Sequence, residues 1–341
     1  MMQTLQALCA LDAPSGREEA VRRYIIEQLQ NSGLDMQMQV DALGNLLVQV
    51  KGRKRPVRRV MFAAHMDEVA LMITAITQDG YLRFEPIGGI DPQVLFGARV
   101  RIGAVRGVIG GKAVHQCSAK ERQSIPEQLL IDIGAADKKQ AEQMVSVADT
   151  AVFDTPQAML GSGLLRSRAV DDRAGCALLL HLLKEQPEYD ISVAFTVQEE
   201  VGLRGAGCAA FALQPDIAVA LDATTAADTA GVEPHKQVCR IGGGPVVSFM
   251  DRRTLYDAKL YQYIRALASD AGIPSQTKQV IAGGNDAGAM QGAGKGARVA
   301  AVSLPCRYIH SPSCVVSAQD MENTLALLRR MALHLPMEKQ L

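Results

Sequence analysis

Tryptophan is absent from this chain of 341 residues, and aromatic residues make up only 4% of it. That leaves little of the aromatic lining on which sugar-binding clefts generally rely. Neither sign of charge is in excess, since 36 Lys and Arg balance 36 Asp and Glu. Such a balance argues against nucleic acid or an anionic membrane as the main partner. The one local exception, the basic run Lys51 to Arg59, contains Pro56 and reads as a solvated turn ahead of a strand. No apolar run approaches the ~18 residues that span a bilayer. The N-terminus lacks a basic segment leading into an apolar one, so no secretion signal is expected. The seven cysteines, Cys9, Cys117, Cys176, Cys208, Cys239, Cys306 and Cys314, include no C-x-x-C pair. Reduced, mostly buried thiols in a cytoplasmic protein are the expectation.

What is present is the length for two domains, or for one domain carrying an insertion. Residues 2–31 hold two helical stretches split by Asp12-Ala13-Pro14-Ser15-Gly16. Ser15 with Glu18 predicts a capping box, and Val21, Tyr24, Ile25 and Leu29 recur at helical spacing. Residues 41–45 read as a turn feeding a strand over 46–50, and Val60-Met61-Phe62-Ala63-Ala64 reads as a buried strand. From about Leu71 to Leu164 the texture changes. Short β-like runs (81–84, 98–102, 105–109, 129–133 and 150–153) alternate with Gly, Pro and Asp, and only 138–147 looks helical. That pattern predicts a small antiparallel barrel or sandwich. After Asp171 helix and strand alternate again, over 176–184, 191–197, 205–213, 217–221, 255–271, 299–304 and 320–334. The expected fold is therefore α/β. Residues 1–70 and 165–341 form a mixed sheet flanked by helices, interrupted over 71–164 by a β-barrel-like domain.

Chemistry-bearing residues follow the apolar runs. His65-Met66-Asp67-Glu68 comes after the 60–64 strand, Gln198-Glu199-Glu200-Val201-Gly202 after 191–197, and Asp222 after 217–221; Asp171-Asp172 opens a helical pattern. In α/β sheets, ligand crevices form where parallel strands end. Two neighbouring metal ions need a bridging carboxylate plus one imidazole and one carboxylate each, with a position left for water. Of the six histidines, His65 and His310 sit in turn-like contexts after apolar strands; His181 and His334 fall in helices, and His115 and His235 in loops. The acidic candidates are Asp171, Glu199, Glu200 and Asp222. Adjacent Glu199 and Glu200 point different ways at a strand end, so one can ligate a metal while the other serves as general base. Asp67 can hold the second nitrogen of His65. Gly110-Gly111-Lys112 is no phosphate loop, because Arg106 and Ala113 stand where Gly and Ser or Thr are required. Ser311 beside His310 has no supporting triad.

Taken together, His65-Met66-Asp67-Glu68-Val69, Val170-Asp171-Asp172-Arg173-Ala174-Gly175, Val197-Gln198-Glu199-Glu200-Val201-Gly202-Leu203-Arg204-Gly205 and Arg307-Tyr308-Ile309-His310-Ser311-Pro312 resemble the glutamyl/deblocking aminopeptidases. These are the tetrahedral (TET) aminopeptidases, some of which carry a cellulase M or endoglucanase label. The likeness runs over nearly the whole chain in motif order, including Pro86-Ile87-Gly88-Gly89 and Gly283-Gly284-Asn285-Asp286-Ala287-Gly288. It implies that Asp171 bridges two divalent ions, across a cis Asp171–Asp172 peptide. His65 and Asp222 would complete one site and Glu200 and His310 the other. Glu199 would take a proton from the metal-bound water, with Asp67 orienting His65. Zinc, cobalt and manganese all suit such N and O ligands. It further implies peptide substrates, an inserted domain that pairs subunits, and six dimers closing into a hollow dodecamer. The short β runs of the insertion would leave strand edges for a partner subunit to cover. Two departures, Asn285 where Thr is more usual and the irregular Glu233-Pro234-His235-Lys236, remove no ligand and no base.

Other readings compete. A dinuclear amidase or deacylase of small N-acyl metabolites would use the same ligands. A glycoside hydrolase using Glu199 or Asp67 would leave both histidines idle. A non-catalytic shell protein is expected to have lost a carboxylate, yet none is missing.

Overall fold

The computed structural model describes residues 1–118 and 129–339. Residues 119–128, inside the stretch predicted to be inserted, lie outside that description. Helices α1 (Met2–Ala10) and α2 (Glu19–Gln30) open the chain, followed by β1 (Met36–Val40), β2 (Leu46–Val50) and β3 (Val60–His65). In α2, Val21, Ile25 and Leu29 are buried and Tyr24 packs against the same core, as the helical spacing requires. The capping box does not form. Glu18 itself flanks α2, and the Ser15 hydroxyl leaves the helix to donate to Asp67 Oδ2 at 2.6 Å. A buried acceptor has outcompeted the local cap. The basic run before β3 is a turn, held by ion pairs of Lys54 with Glu188, Arg55 with Asp190 and Arg59 with Asp216.

Six strands then come from one stretch of chain: β4 (Ala70–Ile76), β5 (Leu82–Ile87), β6 (Arg99–Ile102), β7 (Val105–Gly110), β8 (Leu130–Asp132) and β9 (Thr150–Phe153), with α3 (Lys138–Met144) before β9. They close into a barrel in the order β4-β5-β8-β7-β6-β9, around a core of its own that includes Leu71, Ile73, Val100, Ile109 and Ile131. Closure leaves no unpaired edge. The expectation of strand edges awaiting a partner is therefore corrected: the barrel satisfies them itself.

Strands β10 (Ala158–Leu160) and β11 (Leu164–Ser167) return the chain to α4 (Val170–Leu182). Next come β12 (Ile191–Thr196), α5 (Arg204–Leu213), β13 (Ile217–Thr225), β14 (Val246–Val247), α6 (Ala258–Asp270), β15 (Gln276–Thr277), α7 (Ala287–Gln291), β16 (Arg298–Cys306), β17 (Cys314–Ser317) and α8 (Ala318–His334). The eight-stranded sheet runs β1-β2-β12-β3-β13-β16-β14-β15; its four central strands, β12, β3, β13 and β16, are parallel. A parallel centre covered on both faces explains their continuous apolar runs. Successive side chains alternate between the faces. Val60, Phe62 and Ala64 join the core under α4, α6 and α8, whereas Met61, Ala63, Ala194, Ala218, Ala220 and Ala301 face α5 and α7. Small residues on that second face let α5 approach through its own Gly205, Ala206, Ala209 and Ala210. Strand β13 runs three residues beyond Asp222, so this carboxylate lies within the strand and not at its end. Among the described residues no helix is long and apolar enough to cross a membrane, and Cys9, Cys176, Cys208, Cys239, Cys306 and Cys314 form no disulfide.

Candidate metal centre

The C-terminal ends of the central strands deliver the polar groups to one place. His65 ends β3 and Asp67 follows it; Glu199 and Glu200 occupy the loop after β12; Asp222 lies in β13; Asp171 sits in the first turn of α4; His310 lies between β16 and β17. Asp171 Oδ1 is 3.1 Å from His65 Nε2, and its Oδ2 is 3.2 Å from His310 Nε2. Glu200 Oε2 lies 3.3 Å from His310 Nε2, and Asp222 Oδ1 lies 3.9 Å from His65 Nε2. All seven predicted site residues are thus gathered around one crevice. The remaining histidines are elsewhere: His181 bonds Thr4, His235 pairs with Glu233 at the surface, His115 is exposed, and His334 lies in the last turn of α8.

Asp67 fastens the loops to each other. Its carboxylate accepts the backbone N–H of Glu199 at 3.0 Å and of Glu200 at 3.1 Å, and it lies 3.5 Å from His65 Nδ1. His65 Nδ1 is also 3.2 Å from the Asp67 carbonyl oxygen. Beneath this loop, Arg173 donates to the Met66 carbonyl at 2.9 Å and pairs with Glu68, which also pairs with Arg168. The Asp171–Asp172 peptide is cis. Asp172, not Asp171, caps the regular part of α4, accepting the Gly175 N–H at 2.8 Å. Ala169, Gln198 and His310 all hold left-handed backbone, with φ of 52°, 55° and 55°. Such residues cost ~1–3 kcal/mol each and cluster where surrounding structure dictates a functional geometry.

Electrostatics set the chemistry. Burial alone would lower both imidazoles, but the neighbouring carboxylates outweigh it: Asp171 and Asp67 hold His65 well above its ordinary range, and Asp171 with Glu200 lifts His310 to about 10. Burial would raise Asp171, yet both imidazoles hold it well below the usual carboxylate range. Burial first, then Asp171, pushes Glu200 up to about 8 and Asp222 far upward. Glu199 is raised by burial, with Asp286 and Glu200 adding to it against the pull of His65. So many carboxylates in one desolvated place cannot all ionise without positive charge beside them. The donor set fits divalent cations. Ligand atoms of His65, Asp171 and Glu200 lie within 4.8 Å of one another, as do those of Asp171, Asp172 and Asp222. Glu200 Oε1 is buried with no hydrogen-bond partner among the described residues. Glu199 lines a neighbouring cavity of about 330 Å³.

The sequence profile of the M42 glutamyl aminopeptidases matches residues 44–327. The chain belongs to this family. It is a metallo-aminopeptidase, a hydrolase. A protein of Acetivibrio thermocellus bearing an aminopeptidase name is 36% identical over 96% of this chain and 97% of its own. The lysyl aminopeptidase of Pyrococcus furiosus is 32% identical over 92% of each chain, and the glutamyl aminopeptidase of Lactococcus lactis 30% identical over 99% and 98%. Among solved structures, a TET aminopeptidase from a marine-sediment thaumarchaeon superposes with a TM-score of 0.93 at 32% identity, covering 98% and 96%. The Pyrococcus horikoshii TET1 peptidase, described as assembling into a tetrahedron or an octahedral shell, gives 0.85 at 33% identity over 98% and 99%.

Four participants escaped the reading of motifs. Ser15 bonds Asp67, and the Glu18 carboxylate accepts the Gln198 N–H at 3.2 Å. Asp286 accepts the Thr196 hydroxyl at 2.6 Å and bears on Glu199. Gly88, after β5, brings the barrel against Glu200. Asp286 and Gly88 stood inside motifs already noted, but nothing local reveals what they touch.

Proposed function

We propose that the site holds two divalent ions and removes single residues from the N-termini of peptides. Asp171 would be shared by the two ions, His65 and Asp222 would hold one of them, and Glu200 and His310 the other. The carrying observation is that the two oxygens of Asp171 face two different imidazoles at 3.1 and 3.2 Å. When bound, the ions supply Lewis acidity toward a water and toward the scissile carbonyl. Glu199, the one carboxylate of the adjacent pair not beside an imidazole nitrogen, accepts the water's proton as its oxygen joins the carbonyl carbon. It returns that proton to the departing amine as the C–N bond breaks. Asp67 positions His65 and fixes the Glu199–Glu200 backbone. Zinc is the first choice of metal, with cobalt and manganese meeting the same N and O donor demands. Buried thiols that form no disulfide, such as Cys9, Cys176 and Cys314, support a reducing, cytoplasmic setting.

Residues 71–164 form, in this reading, a unit distinct from the 1–70 and 165–341 catalytic part, and pair one subunit with another. Support comes from exposed apolar side chains there, among them Phe96, Val108 and Met159, and from the shells described for the TET neighbour. An amidase of N-acyl metabolites would use the same centre, and the α-amine separates the two. Free aminoacyl substrates should turn over at least about 10²-fold faster than their N-acetyl counterparts, since the acidic crevice suits an ammonium. Faster turnover of the acetylated series would replace the aminopeptidase reading with the amidase.

A further inference from the structure

A second cavity, of about 480 Å³, is lined by residues of α6, of β15 at the sheet's edge and of the 234–240 segment. That volume lies in the range of small-molecule sites. Arg240 and Arg265 supply its charge, and among the described residues no carboxylate lines it. Neither arginine forms an ion pair among the described residues. The residues three and four away from Arg265 along α6, Tyr261, Gln262, Ala268 and Ser269, carry no charge, so the helix offers it no partner. The carboxylates that bear on Cys239 in the lining are spent elsewhere, Asp228 on Arg307 and Asp320 on the Gly242 and Gly244 N–H groups. The frame of the cavity is preformed. Arg265 Nη1 donates to Ser275 Oγ at 2.5 Å, which anchors the guanidinium and leaves most of its donors without a partner among the described residues. The Gln276 amide accepts the Arg240 N–H at 3.0 Å and donates to the Arg240 and Gly244 carbonyls at 2.9 and 3.0 Å. A Cβ at Gly243 would stand 2.4 Å from Gln276 Cδ, so only glycine admits the amide there.

We propose that this cavity binds a small phosphate monoester, its phosphoryl group held between Arg240 and Arg265. Two guanidinium forks with donors to spare match the terminal oxygens of a phosphoryl dianion, and each such charge-assisted contact is worth roughly 10- to 10²-fold in affinity. The rest of the lining is uncharged and forms hydrogen bonds through Ser275, Thr277 and Gln279, which suits the hydroxyl groups of the esterified part. The site is separate from the metal centre. Val238 and Lys278 line the cavity beside Glu199, whereas Cys239, Thr277 and Gln279, from the same two segments, line this one. Neighbouring residues of extended chain point to opposite sides, and the Gln279 N–H bonds the Val238 carbonyl at 3.0 Å to join the segments into one wall. The proposal is independent of the aminopeptidase reading, since no metal ligand takes part.

The test is calorimetric titration of the full chain, metal-loaded and chelator-stripped, with ribose 5-phosphate, ribose, inorganic phosphate and succinate. We expect saturable binding of ribose 5-phosphate at one site per subunit, at least about tenfold tighter than ribose and succinate. Inorganic phosphate should bind more weakly than the ester, because it leaves the hydroxyl-bearing part of the cavity unfilled. Stripping the metal should leave the ester's affinity unchanged, whereas a phosphate seated on the metal ions would be lost with them. Arg265→Gln and Arg240→Gln should each weaken binding by about 10- to 10²-fold, and Arg240→Lys by less. Arg240 is exposed and its side chain makes no hydrogen bond among the described residues, so its variants test the site without disturbing the fold. Absence of saturable binding, loss of binding on chelation, or an affinity unmoved by Arg240→Gln and Arg265→Gln would overturn the proposal. Binding of inorganic phosphate or succinate as tight as that of the ester would overturn the assignment to phosphate monoesters.

Discussion

Asp171 turns its two oxygens toward two imidazoles, and that arrangement crowds Glu199, Glu200 and Asp222 against an ionised neighbour. Stripped of metal, the protein can relieve the crowding only by holding protons. Glu200 illustrates the consequence: burial, then Asp171, moves it from an ordinary 4.5 to about 8. A group raised on folding stabilises fully below its unfolded value, and that contribution is lost as pH rises through the folded one. His310, raised from 6.5 to about 10, acts in the same direction at higher pH. The metal-stripped protein should therefore lose thermal stability between about pH 5 and about pH 8, by roughly 5 °C or more. A divalent ion takes the place of those protons, so the loaded protein should gain stability over the same interval. Differential scanning fluorimetry with and without chelator reads both slopes. A stripped protein that grows more stable toward pH 8 would show that the carboxylates are not crowded as described.

At the level of elements, the site depends on the meeting of sheet and barrel. Gly88 follows β5 with φ of +83°, and a Cβ there would stand 2.9 Å from Val69 Cγ1 and 3.2 Å from Glu200 Cβ. Gly88→Ala should accordingly displace Glu200, lowering kcat/KM by about tenfold or more and weakening metal retention, with the sheet intact. Unchanged kinetics and metal content would mean the barrel is a bystander. The central strands were legible because burial on both faces writes continuous apolar runs such as 60–64 and 217–221. Most of the residues gathered at the crevice were legible for a related reason: His65, Glu199, Glu200 and Asp222 stood just beyond such runs. Other elements carried no comparable signal. Strand β1, Met36-Gln37-Met38-Gln39-Val40, alternates polar residues at the sheet's edge, and β14 and β15 have two residues each. Ser15 misled because its spacing to Glu18 suits a cap, while its true partner, Asp67, is 52 residues away. Asp286 could not be read for the same reason, its hydroxyl donor Thr196 being 90 residues distant.

Across the whole molecule, every proposed ligand belongs to a single chain, so chemistry and assembly are separable. If the barrel pairs subunits and the pairs close into a shell, light scattering should give about twelve subunits of 36.6 kDa each, and a stable monomer that remains active would contradict the role given to residues 71–164. The chemistry has its own direct measurement. Chelator-stripped protein is titrated with zinc or cobalt while hydrolysis of an aminoacyl substrate is followed, beside Glu199→Gln treated identically. Activity should be absent at first and level off near two equivalents per subunit. The variant should bind the same two ions yet turn over about 10² to 10⁴-fold more slowly. Full turnover by the stripped protein, or near-normal turnover by Glu199→Gln, would contradict a dinuclear centre served by Glu199.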